Sequence, residues 1–408
     1  MGSASFAGEV RRLPVPHLLA RAEAFETALS ELTRRFADGA ELHDRDGSFP
    51  FGNFAELQRL GLVAAVVPAA QGGGGATLAD ARRVVAAVAR GEPSTALVLT
   101  MTYLMHRSVS RTDSRWSPRL RDALYRSAVE EGALANSLRV EPALGSPARG
   151  GLPETVARRD GDGWLLSGHK LYTTGIPALR WLAVWARTDE PEPRVGMFLV
   201  PRDPGSDHPG IRVVESWDHL GLRASNSHEV IFDAVRLPLD HAVDIRPAAD
   251  WAAGPDADQY AWMIVLLGAL YDGVARAARD WLLGFLAGRT PGSLGAPLAT
   301  LPRVQQVVGE IDALLWANEA LLGGLERATD AGQPPPAVES GLAKYGATGN
   351  AIRVVDLALE LSGNHGLSRR NPLERHHRDV LCSRIHTPQN DSILLGAGRL
   401  AFERARAS

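Results

Sequence analysis

The chain has 408 residues, 22% of them charged and 45% in the apolar set, a length that accommodates two or three domains with well-buried cores. Its 44 Lys+Arg against 47 Asp+Glu leave a net charge of −3, which excludes a global basic field for nucleic acid. A single cysteine, Cys382, excludes a disulfide framework and a multi-cysteine zinc site. No uninterrupted apolar run reaches a membrane-spanning length and Met1 to Val10 lacks a signal pattern, so the expectation is a cytoplasmic protein without a membrane partner.

From residue 16 to 130 the spacing predicts helices. Leu18, Leu19, Ala22, Phe25, Leu29, Leu32 and Phe36 recur at helical period, and a loop is expected around Asp44 to Gly47. A short helix is expected from Phe54 to Gly61. The glycine run Gly72 to Gly75 is a break, and Thr77 is a candidate N-cap for a helix from Leu78 to Arg90. Gly72 to Gly75 is not a phosphate loop, because no Gly-Lys-Ser/Thr follows. Ser94 to Met105 is almost wholly apolar, as a helix buried on most sides would be. Near residue 132 the pattern changes to short segments rich in β-formers: 155–159, 164–167, 181–186, 195–200, 211–214 and 229–232. Asp160-Gly161-Asp162-Gly163 reads as a hairpin turn between the first two. These strands predict a compact β-barrel or sandwich. From Gln259 the helical period returns, with candidates at 258–287, 301–331, 338–362 and 389–405 that fit a four-helix bundle. The expected boundaries are 1–131 for a helical domain, 132–245 for a β domain and 246–408 for the bundle, an α+β class overall.

That layout, with particular residues at its joints, resembles the acyl-CoA dehydrogenase superfamily of flavoproteins from about residue 20 to 405. Glu141 to Ser146 looks like the family's E-P-x-A-G-S loop, and Gly168 to Gly175 like its G-x-K-x-W-I-T-N strand and turn. Trp217 to Ser225, with Phe232-Asp233 and Val235 to Pro238, matches a second β-domain signature. Arg289-Thr290, Gly363-Asn364-His365-Gly366 and Arg378-Asp379 stand where the family has its R-x-T-F-G turn, G-G-x-G turn and R-D pair. Each motif alone is weak, but six in the family's order and spacing are not chance.

The resemblance implies FAD or FMN as cofactor, with FAD favoured. It places Thr174, flanked by Tyr172 and Thr173, beside the flavin ring, where its hydroxyl or amide could stabilise the reduced form. A β-branched strand residue is the plain alternative for Thr174. Ser146 and Gln389 are further candidate flavin contacts. Arg289 is a candidate pyrophosphate clamp reaching a neighbouring subunit, which implies a homodimer or homotetramer; the alternative is an arginine serving a helix C-terminus. Gly363 and Gly366 would allow close backbone approach to the cofactor, or else cap a helix. His106, Trp217 and Ser225 are expected to border the pocket of a small-molecule substrate, along with His219 and Ser227.

The departures bear on chemistry. Family dehydrogenases use a glutamate to remove the substrate α-proton, and its position after the R-D pair holds Thr387. The alternative position on an earlier helix falls on Met263. Neither side chain is a base. Asp258 and Asp391 are the nearest spare carboxylates, and Asp391 is retained as a candidate catalytic residue. Val140 and Asn364 replace a threonine and a glycine of the pattern. His386 precedes Thr387, and a branch of the superfamily that hydroxylates substrates with reduced flavin and dioxygen commonly has a histidine there. Histidine can move a proton near pH 7, so His386 could help deprotonate a phenol or an amine, or hydrogen-bond a peroxide on the flavin. The expectation is therefore a two-component monooxygenase supplied by a separate flavin reductase. The competing readings are an acyl-CoA or acyl-carrier-protein dehydrogenase with a displaced base, an oxidase of an amine or nitroalkane, which would also want a carboxylate, and a scaffold without catalysis. His376 and His377 read as an exposed helix-end cluster, and no metal-binding set is recognisable.

Overall fold

The computed structural model describes residues 18–143, 151–251 and 256–407. Among the described residues the N-terminal region contains α1 (Ala22–Asp46), α2 (Phe51–Arg59), α3 (Leu78–Gly91), α4 (Pro93–Ser110) and α5 (Pro118–Glu131). Phe25, Leu29, Leu32 and Phe36 of the expected stripe form the buried face of α1 together with Ala40, whereas Ala22 at its start is exposed. The helix runs on through the expected loop to Asp46 and stops at Gly47, whose φ of 61° few other residues adopt. Thr77 caps α3 in a reciprocal capping box with Asp80. Gly73 is needed in its break because a Cβ there would sit 2.3 Å from the Val67 carbonyl oxygen.

Eight strands follow: β1 (Leu134–Leu138), β2 (Val156–Asp160), β3 (Gly163–Lys170), β4 (Leu179–Thr188), β5 (Arg194–Pro201), β6 (Ile211–Val214), β7 (Glu229–Pro238) and β8 (Ala242–Pro247). They form one mixed sheet in the order β6-β7-β3-β2-β4-β5-β8, with β1 also paired to β4 in parallel. The hairpin turn joins β2 to β3 with Asp160 opposite Gly163. Strand β4 is nearly all apolar because both its faces are covered. Leu182, Val184 and Ala186 join the main core with Trp164 and Phe198, while Trp181, Ala183 and Trp185 face a second core with Leu120, Leu124 and Tyr125 of α5.

The C-terminal region contains α6 (Ala257–Gly288), α7 (Pro302–Asp330), α8 (Ala337–Ser362), α9 (Leu373–Leu381) and α10 (Asn390–Ala407). Helices α6, α7 and α8 pack on one another. The sequence pattern missed the short α9. The expected fourth bundle helix, α10, lies along α8 and buries only Ile393, leaving Leu394, Leu395 and Phe402 exposed. An 18-residue window of α6 is apolar enough to cross a membrane, but 83% of it is buried inside the protein, as befits a core helix.

The three regions meet at Arg378-Asp379. The Arg378 guanidinium pairs with Asp44 at the end of α1 at 2.6 Å and donates to the Leu220 carbonyl at 2.8 Å. The Asp379 carboxylate accepts from the Leu222 amide at 2.7 Å. Gly221 permits this approach, since a Cβ there would lie 2.4 Å from the Arg378 carbonyl oxygen. The loop carrying Trp217 to Ser225 is thereby docked on the segment leading to His386.

Candidate active site

The β side of the joint is built on the end of β3. Lys170 is fully buried, and its ammonium meets Glu141 at 2.6 Å and the Trp185 carbonyl at 2.5 Å. Glu141 also accepts from the amides of Glu154 and Thr155 and from the Thr155 hydroxyl. Burial opposes both charges, bringing Lys170 down to about 8. At Glu141 the Lys170 ammonium and the Thr155 hydroxyl outweigh burial and hold the carboxyl below the usual range. Here a buried ion pair anchors the end of β3, from which the chain continues into Tyr172-Thr173-Thr174.

Beyond Lys170 the chain turns sharply, with Tyr172 at φ 54° and Gly175 at φ 82°. A Cβ on Gly175 would lie 2.7 Å from the Val98 side chain of α4. Ser227 Oγ donates to Thr174 Oγ1 at 3.0 Å, and Ser225 Oγ lies 2.8 Å from Ser227 Oγ. With Ser225 donating to Ser227, the relay runs toward Thr174, and the half-buried Thr174 hydroxyl keeps its own hydrogen to donate outward. Asn136 on β1 donates to the Thr174 carbonyl at 3.0 Å and fixes the turn. Thr173 Oγ1 is buried without a partner. Alongside, Trp217 and His219 stack with ring centroids 3.6 Å apart, and the exposed Tyr172 meets both edge-on at 6.3 and 6.0 Å. A free hydroxyl donor beside an aromatic wall fits the edge and face of a flavin ring.

The C-terminal side centres on His386. Its Nδ1 is hydrogen-bonded to the Tyr271 hydroxyl, which α6 brings from deep in the core. Burial, with the Lys344 ammonium adding, lowers His386 to about 4, and burial raises Tyr271 well above the phenol range. Near neutral pH both groups are therefore uncharged. Lys344, buried on α8, donates to the carbonyls of His386 and Pro388, both at 2.6 Å, and grips the loop. Burial lowers Lys344 to about 8 and raises Asp379 to about 7.

Other expected site residues fall elsewhere. Asp391 is exposed at the start of α10 and bonds to the amide and hydroxyl of Ser392, so it does not present itself as a replacement base. Asp258 is ion-paired to Arg107 at 2.8 Å. Met263 packs against the core, and Thr387 is exposed. His106 is fully buried against Tyr125 with both ring nitrogens unpartnered, and burial lowers it to about 3. It lies two turns along α4 from the Val98 contact, roughly 12 Å of helix, so it is not brought to the Thr174 hydroxyl. Trp217 donates to the Leu222 carbonyl at 3.2 Å and stands in the aromatic wall. Arg289 is exposed at the end of α6. Gly363 caps α8 at φ 55° with open space around it, whereas Gly366 is required by packing, since a Cβ there would sit 2.2 Å from Ser362 Oγ. The Gln389 carbonyl accepts from the Ile393 amide. Ser146 lies outside the described residues. His376 is buried, contrary to the expected exposed cluster; His377 is half-buried, 3.5 Å from Asp356. Among the described residues no group of three His, Cys, Asp or Glu could hold a metal. Sequence reasoning missed Tyr271 and Lys344.

Comparison with known proteins places this geometry. Models of the acyl-CoA dehydrogenase N-terminal, middle and C-terminal domains match residues 20–112, 139–235 and 265–390. A putative acyl-CoA dehydrogenase, YdbM, of Bacillus subtilis is 30% identical, covering 92% of this chain and 96% of its own. The chain belongs to the acyl-CoA dehydrogenase superfamily. It is thus a flavin-dependent oxidoreductase, with FAD or FMN as its cofactor. Two further similarities lie in a different part of the superfamily. An L-evernosamine nitrososynthase of a Micromonospora species is 31% identical over 86% of this chain and 83% of its own. The structure of KijD3 with FMN and a dTDP-linked amino sugar aligns at TM-score 0.79 and 28% identity, covering 96% of this chain and 95% of that one. The relatives thus include both a putative acyl-CoA dehydrogenase and a nitrososynthase.

Proposed function

We propose that this protein is a monooxygenase that uses reduced flavin, delivered by a separate reductase, and dioxygen to oxygenate a small organic substrate at an amine nitrogen. The observation that carries the reading is the uncharged His386–Tyr271 pair, together with Thr387 and Met263 where the family pattern has its carboxylate. The likeness to the nitrososynthase and to KijD3 supports an amine substrate.

Reduced flavin, when bound, supplies the two electrons with which one atom of dioxygen enters the substrate and the other leaves as water. The protein's own contributions follow from its geometry. The Ser225–Ser227–Thr174 relay aims one hydroxyl donor at the ring edge, and Asn136 holds the Thr174 backbone in place. With the Tyr271 phenol as the donor to His386 Nδ1, the imidazole proton sits on Nε2. A neutral histidine in this state offers an N–H to oxygen or substrate and does not draw a proton from carbon. Of the two roles expected from sequence, this supports hydrogen bonding by His386 over proton removal near pH 7. Lys344 holds the His386 loop so that this donor is fixed in direction. A homo-oligomer belongs to the proposal, because the Arg289 guanidinium and the apolar face of α10 are exposed. So does a cytoplasmic location, where the reductase would supply it.

Dehydrogenation with a relocated base is the second reading, favoured by the similarity to YdbM and to short-chain acyl-CoA dehydrogenases such as the bovine enzyme at 28% identity. It needs a free carboxylate, and Asp258 and Asp391 are both engaged elsewhere. The experiment that separates the two supplies reduced FMN or FAD, oxygen and a panel of amines. A product heavier by one or more oxygen atoms supports monooxygenation; no oxygenated product from any amine, with turnover of acyl-CoA, overturns it.

A further inference from the structure

Away from the Thr174 hydroxyl, a cavity of about 280 Å³ lies among α1, α3, α6 and α9, lined by Thr33, Arg90, Asp280, Trp281, Arg375 and His376. Its floor is tight, because Gly91 lets α3 approach α1 to within 2.6 Å of a would-be Cβ at the Thr33 carbonyl oxygen. Two of its linings are out of keeping with the rest of the interior. Arg375 is 8% exposed and makes no hydrogen bond or ion pair among the described residues, and its Nε is fully buried. His376 is 4% exposed with Nδ1 buried and unpartnered.

Other buried cations are satisfied: Lys170 has Glu141, Lys344 has two carbonyls, and Arg82 has Glu319 and Glu326. Leaving an ion buried without a partner costs several kcal/mol, roughly what breaking a buried pair costs. The carboxylates nearby are committed. Asp280 is engaged by Arg90 and Arg279; Asp379, four residues along α9, feels the Arg375 charge, but its carboxylate accepts from the Leu222 amide and forms no ion pair with the guanidinium. Burial with the Arg375 charge lowers His376 to about 3, so its ring is neutral and carries one N–H donor near pH 7.

We propose that this cavity binds a small oxyanion, a carboxylate or phosphate group, received by the Arg375 guanidinium and the His376 imidazole with Arg90 alongside. The planar donor fork of arginine suits either group. The volume is just under the usual range of about 300–1,000 Å³ for ligand pockets, which fits a small metabolite and not an intact acyl-CoA. Two of the walls, α6 and α9, also carry Tyr271 and Asp379, so an anion there would brace the helices that hold the His386 joint.

The test is calorimetric titration of the FMN-saturated protein, its flavin phosphate site filled, with inorganic phosphate in one arm and succinate in the other. The expected result is saturable binding of at least one anion, weakened at least tenfold in Arg375→Gln and in the cavity-filling Ala277→Phe, and unchanged in Arg369→Gln at an exposed arginine. The arm that binds identifies the anion class. Absence of saturable binding by both anions overturns the proposal, as does binding that persists in the cavity variants. If Arg375→Gln does not fold, the wild-type titration and Ala277→Phe decide alone.

Discussion

The two sides of the joint treat the same family pattern in opposite ways. On the β side the pattern is largely kept, Val140 apart, and its residues are held in place: Lys170 by Glu141 and a strand carbonyl, Thr174 by Asn136 and Ser227. On the C-terminal side the Arg378-Asp379 pair is kept as a structural clasp, but the groups just beyond it have changed. A carboxylate position holds Thr387, and a histidine tied to a tyrosine stands next to it. Recognition of a large cofactor needs many fixed donors along rigid elements, whereas the choice of reaction rests on a few side chains in one loop. A superfamily can therefore retain the first while replacing the second.

Variants that separate the two sides sharpen this contrast. The largest expected effect is on stability: Lys170→Met leaves the Glu141 carboxylate buried without its cation and should cost about 3–5 kcal/mol in denaturant unfolding. Adding Glu141→Gln should recover part of that loss. Next, His386→Ala should lower turnover at least about tenfold while flavin affinity persists, with Tyr271→Phe giving a smaller loss in the same direction. Weakened flavin binding as the main consequence of His386→Ala would merge the two sides and break the comparison. The reverse pattern is expected of Thr174→Val and Ser227→Ala. Each removes about 0.5–1.5 kcal/mol of hydrogen bonding, seen as a few-fold weaker flavin binding by fluorescence titration, with turnover retained at saturating flavin.

A further effect, shared by several buried groups, concerns pH. His106 and His376, each near about 3, and His386, near about 4, stay neutral in the fold, while the unfolded chain protonates them below about 6.5. Between pH 6.5 and 4 the unfolded state thus binds more protons at these sites, and stability falls on acidification. Asp379, raised to about 7, acts in the opposite sense, since the fold holds its proton between about pH 4 and 7. Three groups outweigh one, so Tm should fall on acidification across that window. A shallower fall is expected in His106→Phe, measured by calorimetry.

Much of this architecture is legible in the sequence because the joints carry residue types that only a few geometries use. Gly221 and Asp379 are an example, one allowing the close approach that the other's carboxylate completes. His386 is legible from its place after the Arg378-Asp379 pair. Tyr271 is not, because it lies 115 residues from its partner in a run of apolar residues that reads as core. Lys344 left a usable signal: a lysine among Gly341, Ala343, Ala347 and Ala351, small residues that mark a buried helix face. His376 was misread because adjacent histidines resemble a solvated cluster. Yet Leu373, His376 and Val380 share the 3-then-4 spacing of a buried stripe, and all three are buried.

The central claim is tested most directly by one stopped-flow comparison on the same preparation. The protein loaded with reduced FMN is mixed with oxygen and an amine, and the protein loaded with oxidised FAD is mixed anaerobically with a series of acyl-CoAs. The account predicts oxygen uptake coupled to an oxygenated amine in the first and an unchanged flavin spectrum in the second. Rapid bleaching of the oxidised flavin by a thioester, without amine oxygenation, would contradict it.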